Sequence, residues 1–147
     1  MTPFRRTAPA VAAGLLLAAC GGGGSSPSGR TDPTPVDSTP PAVTISSSAA
    51  GITATGKVTF TFRFSENVGT SFTVEDVQLT QGTVSAFERV SGTLASAQVT
   101  PPANMLGSLQ VTVAASSVAD AAGIGNLQRV ALSQQFDTRT MPNVVPS

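Results

Sequence analysis

The sequence predicts an all-β fold, an antiparallel β-sandwich of about seven strands, and three observations lead to this prediction. In residues 57–65, apolar and polar side chains alternate with the period of two that is typical of a strand with one buried face. The apolar positions of that strand are Val58, Phe60, Phe62 and Phe64. Elsewhere, short β-prone runs are separated by turn residues at intervals of about 8 to 12 positions. Finally, only 11% of residues are charged, and Ser, Thr, Gly and Ala dominate the remainder, which favours strands and turns over helices.

The first four strands are predicted from short alternating runs and the turns between them. Val43 and Ile45 mark the first, and turn residues around Gly51 separate it from the second strand at residues 57–65. The third, residues 77–80, follows a polar corner. Gly82 then turns the chain into the fourth strand, which we expect to begin at Thr83 and to end at Val90.

Three further strands complete the predicted sandwich. The fifth, residues 93–100, has a weak Ala-rich pattern and stops at a Pro-Pro pair. In the sixth, residues 109–113, apolar and polar side chains alternate. The seventh, residues 129–136, alternates in the same way except at Gln134, which falls on the predicted inward face. The residues expected to form the core are Phe60, Phe62, Phe64, Val111, Val113 and Leu132.

The composition excludes several classes of function. The 147-residue chain has a formal net charge of zero and no cluster of basic residues, so we expect no nucleic-acid partner. It contains no His, so a Ser or Cys nucleophile would lack its usual base, and a Gly-x-Ser-x-Gly motif is also missing. The adjacent carboxylates Glu75 and Asp76 are typical of a turn or cap rather than of a hydrolase pair. The sequence therefore predicts that the chain is not an enzyme.

Residues 1–19 have the layout of an export signal, with Arg5 and Arg6 followed by an apolar run and small residues. The run is about 11 residues long, well under the roughly 20 that a transmembrane helix needs. Residues 17–20, Leu-Ala-Ala-Cys, resemble the lipobox of bacterial lipoproteins, which implies cleavage before Cys20 and lipidation of its thiol. The alternatives are a secretory leader followed by a free thiol, and twin-arginine export suggested by the Arg pair.

The segments on either side of the predicted domain are poor in apolar residues. Residues 20–36 begin with four glycines after Cys20 and continue as Ser-, Pro- and Thr-rich sequence, which predicts a flexible linker. Residues 138–147 contain two prolines and no continuing pattern, which predicts a disordered tail. By resemblance to bacterial lipoproteins, Gly21 directly after the cysteine implies the outer membrane, to which the lipid on Cys20 would attach the chain.

Several short motifs in order along residues 37–137 carry a family likeness. They are Asp37-Ser38-Thr39-Pro40-Pro41, Ser65-Glu66-Asn67-Val68, Phe72 to Val77, Gly82-Thr83-Val84 and Val118 to Gly123 with Asn126. This part of the chain resembles the bacterial Ig-like domains that occur in tandem in large surface adhesins. The resemblance implies a seven-stranded sandwich that serves as a spacer, an adhesion module or an accessory domain beside an enzyme. Two departures are the insertion of Ile124 and Gly125 before Asn126, and the presence of one module where adhesins have many.

The resemblance also implies a calcium site. It would bring Asp37, Glu66, Asp120 and Asn126 toward one pole of the sandwich, and related adhesin modules often hold calcium at such junctions. Ca²⁺ prefers the carboxylate, carbonyl and amide oxygens that these residues supply. The alternative is that Asp37 and Asp120 only cap turns by accepting backbone N–H groups.

Two functions remain open on the sequence alone. The first is a monomeric, non-catalytic Ig-like module on an envelope lipoprotein, used for adhesion, binding or spacing. The second is an accessory domain of a longer envelope enzyme or carbohydrate-binding protein. Thr59, Thr61 and Arg63 on the wet face of the second strand suggest a protein or glycan surface as partner, although the chain has no Trp or Tyr on which a sugar ring could stack.

Overall fold

A computed structural model of the chain describes residues 33–141. The predicted signal peptide at 1–19, the lipidation site Cys20, most of the predicted linker and residues 142–147 of the predicted tail lie outside these residues. Within residues 33–141, no helix is long and apolar enough to cross a membrane.

Seven strands and one short 3-10 helix make up the described part of the chain. The strands are β1 (Val43–Ser47), β2 (Val58–Phe64), β3 (Gln78–Leu79), β4 (Thr83–Ser91), β5 (Leu94–Thr100), β6 (Leu106–Val113) and β7 (Val130–Asp137). The 3-10 helix, Val74–Asp76, precedes β3, and Asp76 Oδ2 accepts a hydrogen bond from the Thr73 backbone N–H at 2.8 Å. This contact matches the turn or cap expected of the Glu75-Asp76 pair.

The strands form two antiparallel sheets, with the orders β1-β2-β5-β4 and β3-β6-β7. In β2, Phe62 lies opposite Ile45 of β1 and Ala95 of β5, which places β2 inside its sheet. This pairing is the strand arrangement of an immunoglobulin constant-type sandwich. The prediction of an all-β, Ig-like sandwich of seven strands is confirmed.

The core lies between the two sheets and centres on phenylalanine. Phe72 has no exposed surface, and its ring centroid lies 5.0 Å from that of Phe62, 5.0 Å from that of Phe64 and 5.7 Å from that of Phe87. Such tilted and edge-on aromatic pairs add to the free energy gained by burying apolar surface. Phe72 comes from the loop between β2 and β3, so this loop is fastened to the core.

One residue of the predicted core is not fully buried. Leu132 of β7 is only partly buried, whereas Gln134, two residues later on the same strand, is 4% exposed. The Gln134 side chain is satisfied because its Oε1 accepts from the Ser47 hydroxyl at 2.6 Å and its Nε2 donates to the Ile52 carbonyl at 2.7 Å. A buried amide with these partners is tolerated, and here it fastens the β1–β2 loop to β7.

The domain has two distinct ends. The N-terminal pole carries Asp37, the end of β2 and the end of β6. At the C-terminal pole the chain leaves β7, and the Thr138 hydroxyl accepts from the Met105 N–H at 3.1 Å beside the start of β6. Because β6 has eight residues and a strand rises about 3.3 Å per residue, the two poles are about 25 Å apart.

An ion pair lies at the C-terminal pole. Arg139 Nη2 is 2.7 Å from Asp137 Oδ2, and Arg139 Nε donates to Asp137 Oδ1 at 2.8 Å. These hydrogen bonds lower the pKa of Asp137 to about 2 and raise the pKa of Arg139. Both side chains are accessible to solvent, so the pair contributes little to the free energy of folding. Its hydrogen bonds hold Arg139 against the last residue of β7.

Candidate functional site

Three of the predicted site residues meet at the N-terminal pole. Asp37, Glu66 and Asp120 each direct a carboxylate oxygen into a common space in which these atoms lie within 4.8 Å of one another. They come from three separate segments: the approach to β1, the loop after β2 and the loop after β6. Asp37 is exposed, Glu66 is partly buried, and Asp120 is only 9% exposed. We call this group the acidic cluster.

The position of Asp120 is set by a tight turn. Its Oδ1 accepts hydrogen bonds from the backbone N–H groups of Ala122 at 2.8 Å and Ile124 at 2.9 Å. Its own N–H donates to the Ile124 carbonyl at 3.1 Å. The turn uses one carboxylate oxygen, as the turn-capping alternative requires. The other, Oδ2, is buried and has no hydrogen-bond partner.

Asp37 and Glu66 are brought together by the pairing of β1 with β2. The Ser65 N–H donates to the Ala42 carbonyl at 3.0 Å, and the Ser65 hydroxyl accepts from the Ala42 N–H at 2.9 Å. These bonds hold the approach to β1 against the residue before Glu66. Asp37 Oδ1 accepts from the Thr39 N–H at 3.0 Å, so Asp37 also caps a turn with one oxygen.

Asn126, the fourth predicted ligand, has a different role. It is 1% exposed, and its Oδ1 accepts from the Val118 N–H at 3.0 Å. Its Nδ2 donates to the carbonyls of Ala114 and Gln128, both at 2.9 Å. Because these bonds engage both ends of the amide, Asn126 closes the base of the loop that carries Asp120. We therefore assign the candidate site to the three carboxylates alone.

The loop after β2 is itself fastened at several points. Arg89 of β4 donates to the Phe72 carbonyl at 2.8 Å, and the Val68 N–H donates to the Gly92 carbonyl at 2.8 Å. A Cβ at Gly92 would collide with the exposed side chain of Asn67, which would then have to move. These contacts hold the loop that carries Glu66 against β4 and the turn that follows it.

A contact that sequence reasoning missed joins the two loops to each other. The Ser71 hydroxyl donates to the Ala119 carbonyl at 2.6 Å and accepts from the Ala119 N–H at 3.0 Å. Ala119 directly precedes Asp120, and Ser71 follows Glu66 by five residues. No local pattern marks this pair, because the partners are 48 residues apart.

The electrostatics of the cluster favour a cation. The pKa of Glu66 is raised, first by burial and then by the negative charges of Asp37 and Asp120. A buried carboxylate oxygen without a partner, such as Asp120 Oδ2, is unfavourable unless a proton or a cation satisfies it. The donor set consists of oxygen alone, which suits Ca²⁺ or Mg²⁺ rather than zinc or copper. The residues present therefore fit a hard divalent cation.

The outer face of the four-stranded sheet offers a different kind of surface. Thr59 and Thr61 of β2 are half-buried there, and Arg63 is exposed. Thr61 pairs across the sheet with Ser96 of β5, and Thr59 pairs with Gln98. The side chains at these outward positions are polar or charged.

The comparisons with known proteins agree with this fold. A family model described as a bacterial Ig-like domain matches residues 37–137, which include all three carboxylates of the acidic cluster. No curated protein matches the chain at a significant level.

Proposed function

Since this chain belongs to the bacterial Ig-like domain family, we propose that it is a cell-envelope lipoprotein whose folded part is a non-catalytic module for adhesion, binding or spacing. The observation that carries the proposal is the passage of the chain from the N-terminal pole at Asp37 to the C-terminal pole at Thr138. Because the chain enters the sandwich at one pole and leaves it at the other, the domain separates the segments on its two sides by about 25 Å.

The envelope part of the proposal depends on lipidation of Cys20, which the lipobox-like residues 17–20 support. We expect a palmitate analogue supplied to growing cells to label the wild-type chain and to leave Cys20→Ser unlabelled. The unlabelled variant should also leave the membrane fraction, because a diacyl or triacyl anchor supplies the apolar surface that holds the chain there. Persistent labelling of Cys20→Ser would contradict the anchor.

The acidic cluster would give the module a calcium site. Asp37, Glu66 and Asp120 would hold the ion, which would offset their mutual repulsion and provide a partner for Asp120 Oδ2. Three carboxylates leave part of the coordination sphere to water or to an external oxygen, so we expect weak binding, in the roughly 10⁻⁴ to 10⁻³ M range of extracellular modules. Bound calcium would fasten the approach to β1 to both loops of the N-terminal pole.

The binding part of the proposal concerns the outer face that carries Thr59, Thr61 and Arg63. We expect the immobilised full-length chain to capture a protein or glycan from envelope extracts or glycan arrays. We expect Arg63→Glu to weaken that capture, because it puts a negative charge where the face presents a positive one. The lack of Trp and Tyr favours a protein over a sugar. If nothing is captured while hydrolase activity is measurable, the non-catalytic module is excluded.

The second candidate, an accessory domain of a longer envelope protein, is favoured by one observation. Three large apolar side chains are exposed at the C-terminal pole: Met105, Leu106 and Met141. Apolar side chains exposed at the pole where the chain leaves the sandwich would suit a companion domain packed against them. A polar double variant, Met105→Ser with Leu106→Ser, would increase solubility without loss of function if the module acts alone, and would impair the activity of a companion domain if it has one.

A further inference from the structure

We propose that Ser71 is a positioning residue that sets the calcium affinity of the acidic cluster by tying the loop of Glu66 to the loop of Asp120. This inference rests on the proposed calcium site. It adds a determinant outside the three carboxylates, and it assigns a role to a hydroxyl that touches neither the ion nor its ligands.

The geometry of the Ser71 contact suits this role. A single hydroxyl holds both polar groups of the Ala119 backbone, donating to its carbonyl at 2.6 Å and accepting from its N–H at 3.0 Å. Because Ala119 is bonded directly to Asp120, fixing both groups limits the position and the orientation of the Asp120 main chain. Ser71 is held in turn, since its own N–H donates to the Val68 carbonyl at 3.0 Å.

The two loops need such a connection because they leave different sheets. Glu66 follows β2 of the four-stranded sheet, and Asp120 follows β6 of the three-stranded sheet. Among the described residues, the hydrogen bonds that join these two loops are those of Ser71 with Ala119. In the absence of calcium, carboxylates this close repel one another, which favours separation of the loops. The Ser71 contact opposes this separation, and it therefore lowers the free energy needed to bring the three carboxylates together.

Loss of the contact should therefore appear in cation affinity. Residues that orient metal ligands without touching the metal typically alter its affinity by about 10- to 100-fold. We expect Ser71→Ala to raise the Kd for Ca²⁺ about 10-fold. Ser71→Thr, which keeps a hydroxyl on the same backbone, should restore most of the wild-type affinity.

Ser117 provides a matched control in the same region. It is also a partly buried serine, and its hydroxyl donates to the Ala114 carbonyl at 2.9 Å. This bond closes a local turn and does not reach the Glu66 loop. Ser117→Ala therefore removes a comparable hydrogen bond from the loop after β6, and its Kd for Ca²⁺ should stay at the wild-type value.

The experiment is a calorimetric titration of calcium chloride into the full-length chain and its Ser71→Ala, Ser71→Thr and Ser117→Ala variants at pH 7. A raised Kd in Ser71→Ala alone supports the positioning role. Calcium binding by the wild type with an equal Kd in Ser71→Ala overturns that role and leaves the calcium site standing. Wild type without calcium binding overturns both. A raised Kd in Ser117→Ala as well would show that general loosening of the loop, rather than the connection, sets the affinity.

A second measurement decides the question if Ser71→Ala does not fold. The Ala119 N–H of the wild type donates to Ser71, so its hydrogen-exchange rate reports opening of the connection. If this contact and cation binding are coupled, calcium must slow that exchange, because each then favours the other. An exchange rate that calcium leaves unchanged would reject the proposal.

Discussion

Phe72→Ala is expected to lower the free energy of unfolding by about 3 to 5 kcal/mol, because it removes the ring on which three other phenylalanines converge. Phe62→Ala, which removes a fully buried ring of β2, should have an effect of similar size. A domain of this length has only about 5 to 15 kcal/mol of stability in total. The melting temperature should therefore fall by more than about 10 °C.

Thermal unfolding followed by circular dichroism measures this effect, and Phe87→Ala serves as a graded control. Phe87 lies on the edge strand β4 and is only partly buried, so its loss removes less packed surface. We expect a large fall in melting temperature for Phe72→Ala and Phe62→Ala, and a smaller fall for Phe87→Ala. An unchanged melting temperature in Phe72→Ala would mean that the loop after β2 is not part of the core.

Calcium is expected to raise the melting temperature of the wild-type chain and to have no such effect on Asp120→Ala. A ligand present at 100 times its Kd stabilises the native state by about 2.7 kcal/mol, which corresponds to roughly 10 °C for a domain of this size. A chelator should reverse the shift. The physical reason is that the ion offsets the repulsion among three carboxylates and satisfies Asp120 Oδ2.

Asp120→Asn separates this effect from turn capping. The Asn side chain keeps an oxygen that can accept from the Ala122 and Ile124 N–H groups, but it removes the charge that a cation needs. We expect Asp120→Asn to fold and to lose the calcium response. Glu88→Ala, which removes an exposed carboxylate of β4, should retain it. If calcium at 100 times the weakest expected Kd, about 100 mM, fails to shift the melting temperature of the wild type, turn capping alone accounts for Asp120.

The number of strands and their approximate positions along the chain could be predicted because the signals for them are local. The period of two in residues 57–65 and 109–113 decides both the secondary structure and the face that becomes buried. The strands at these positions, β2 and β6, both run toward the N-terminal pole, which is why residues that follow them, Glu66 and Asp120, lie together there.

What the sequence by itself determined is therefore the class of fold and the buried face of each strongly alternating strand. The gathering of carboxylates at one pole was implied only by the family resemblance. Only the tertiary structure decided that Phe72 belongs to the core, because a loop residue has no periodicity that marks its inward face. Only the tertiary structure also showed which partners satisfy the inward-facing Gln134 and that Ser71 joins the loops. Their partners lie far away in the chain, Ser47 at 87 residues from Gln134 and Ala119 at 48 residues from Ser71. Alternation along a strand specifies which face is buried, but pairs so distant in sequence are set only when the two sheets close on each other.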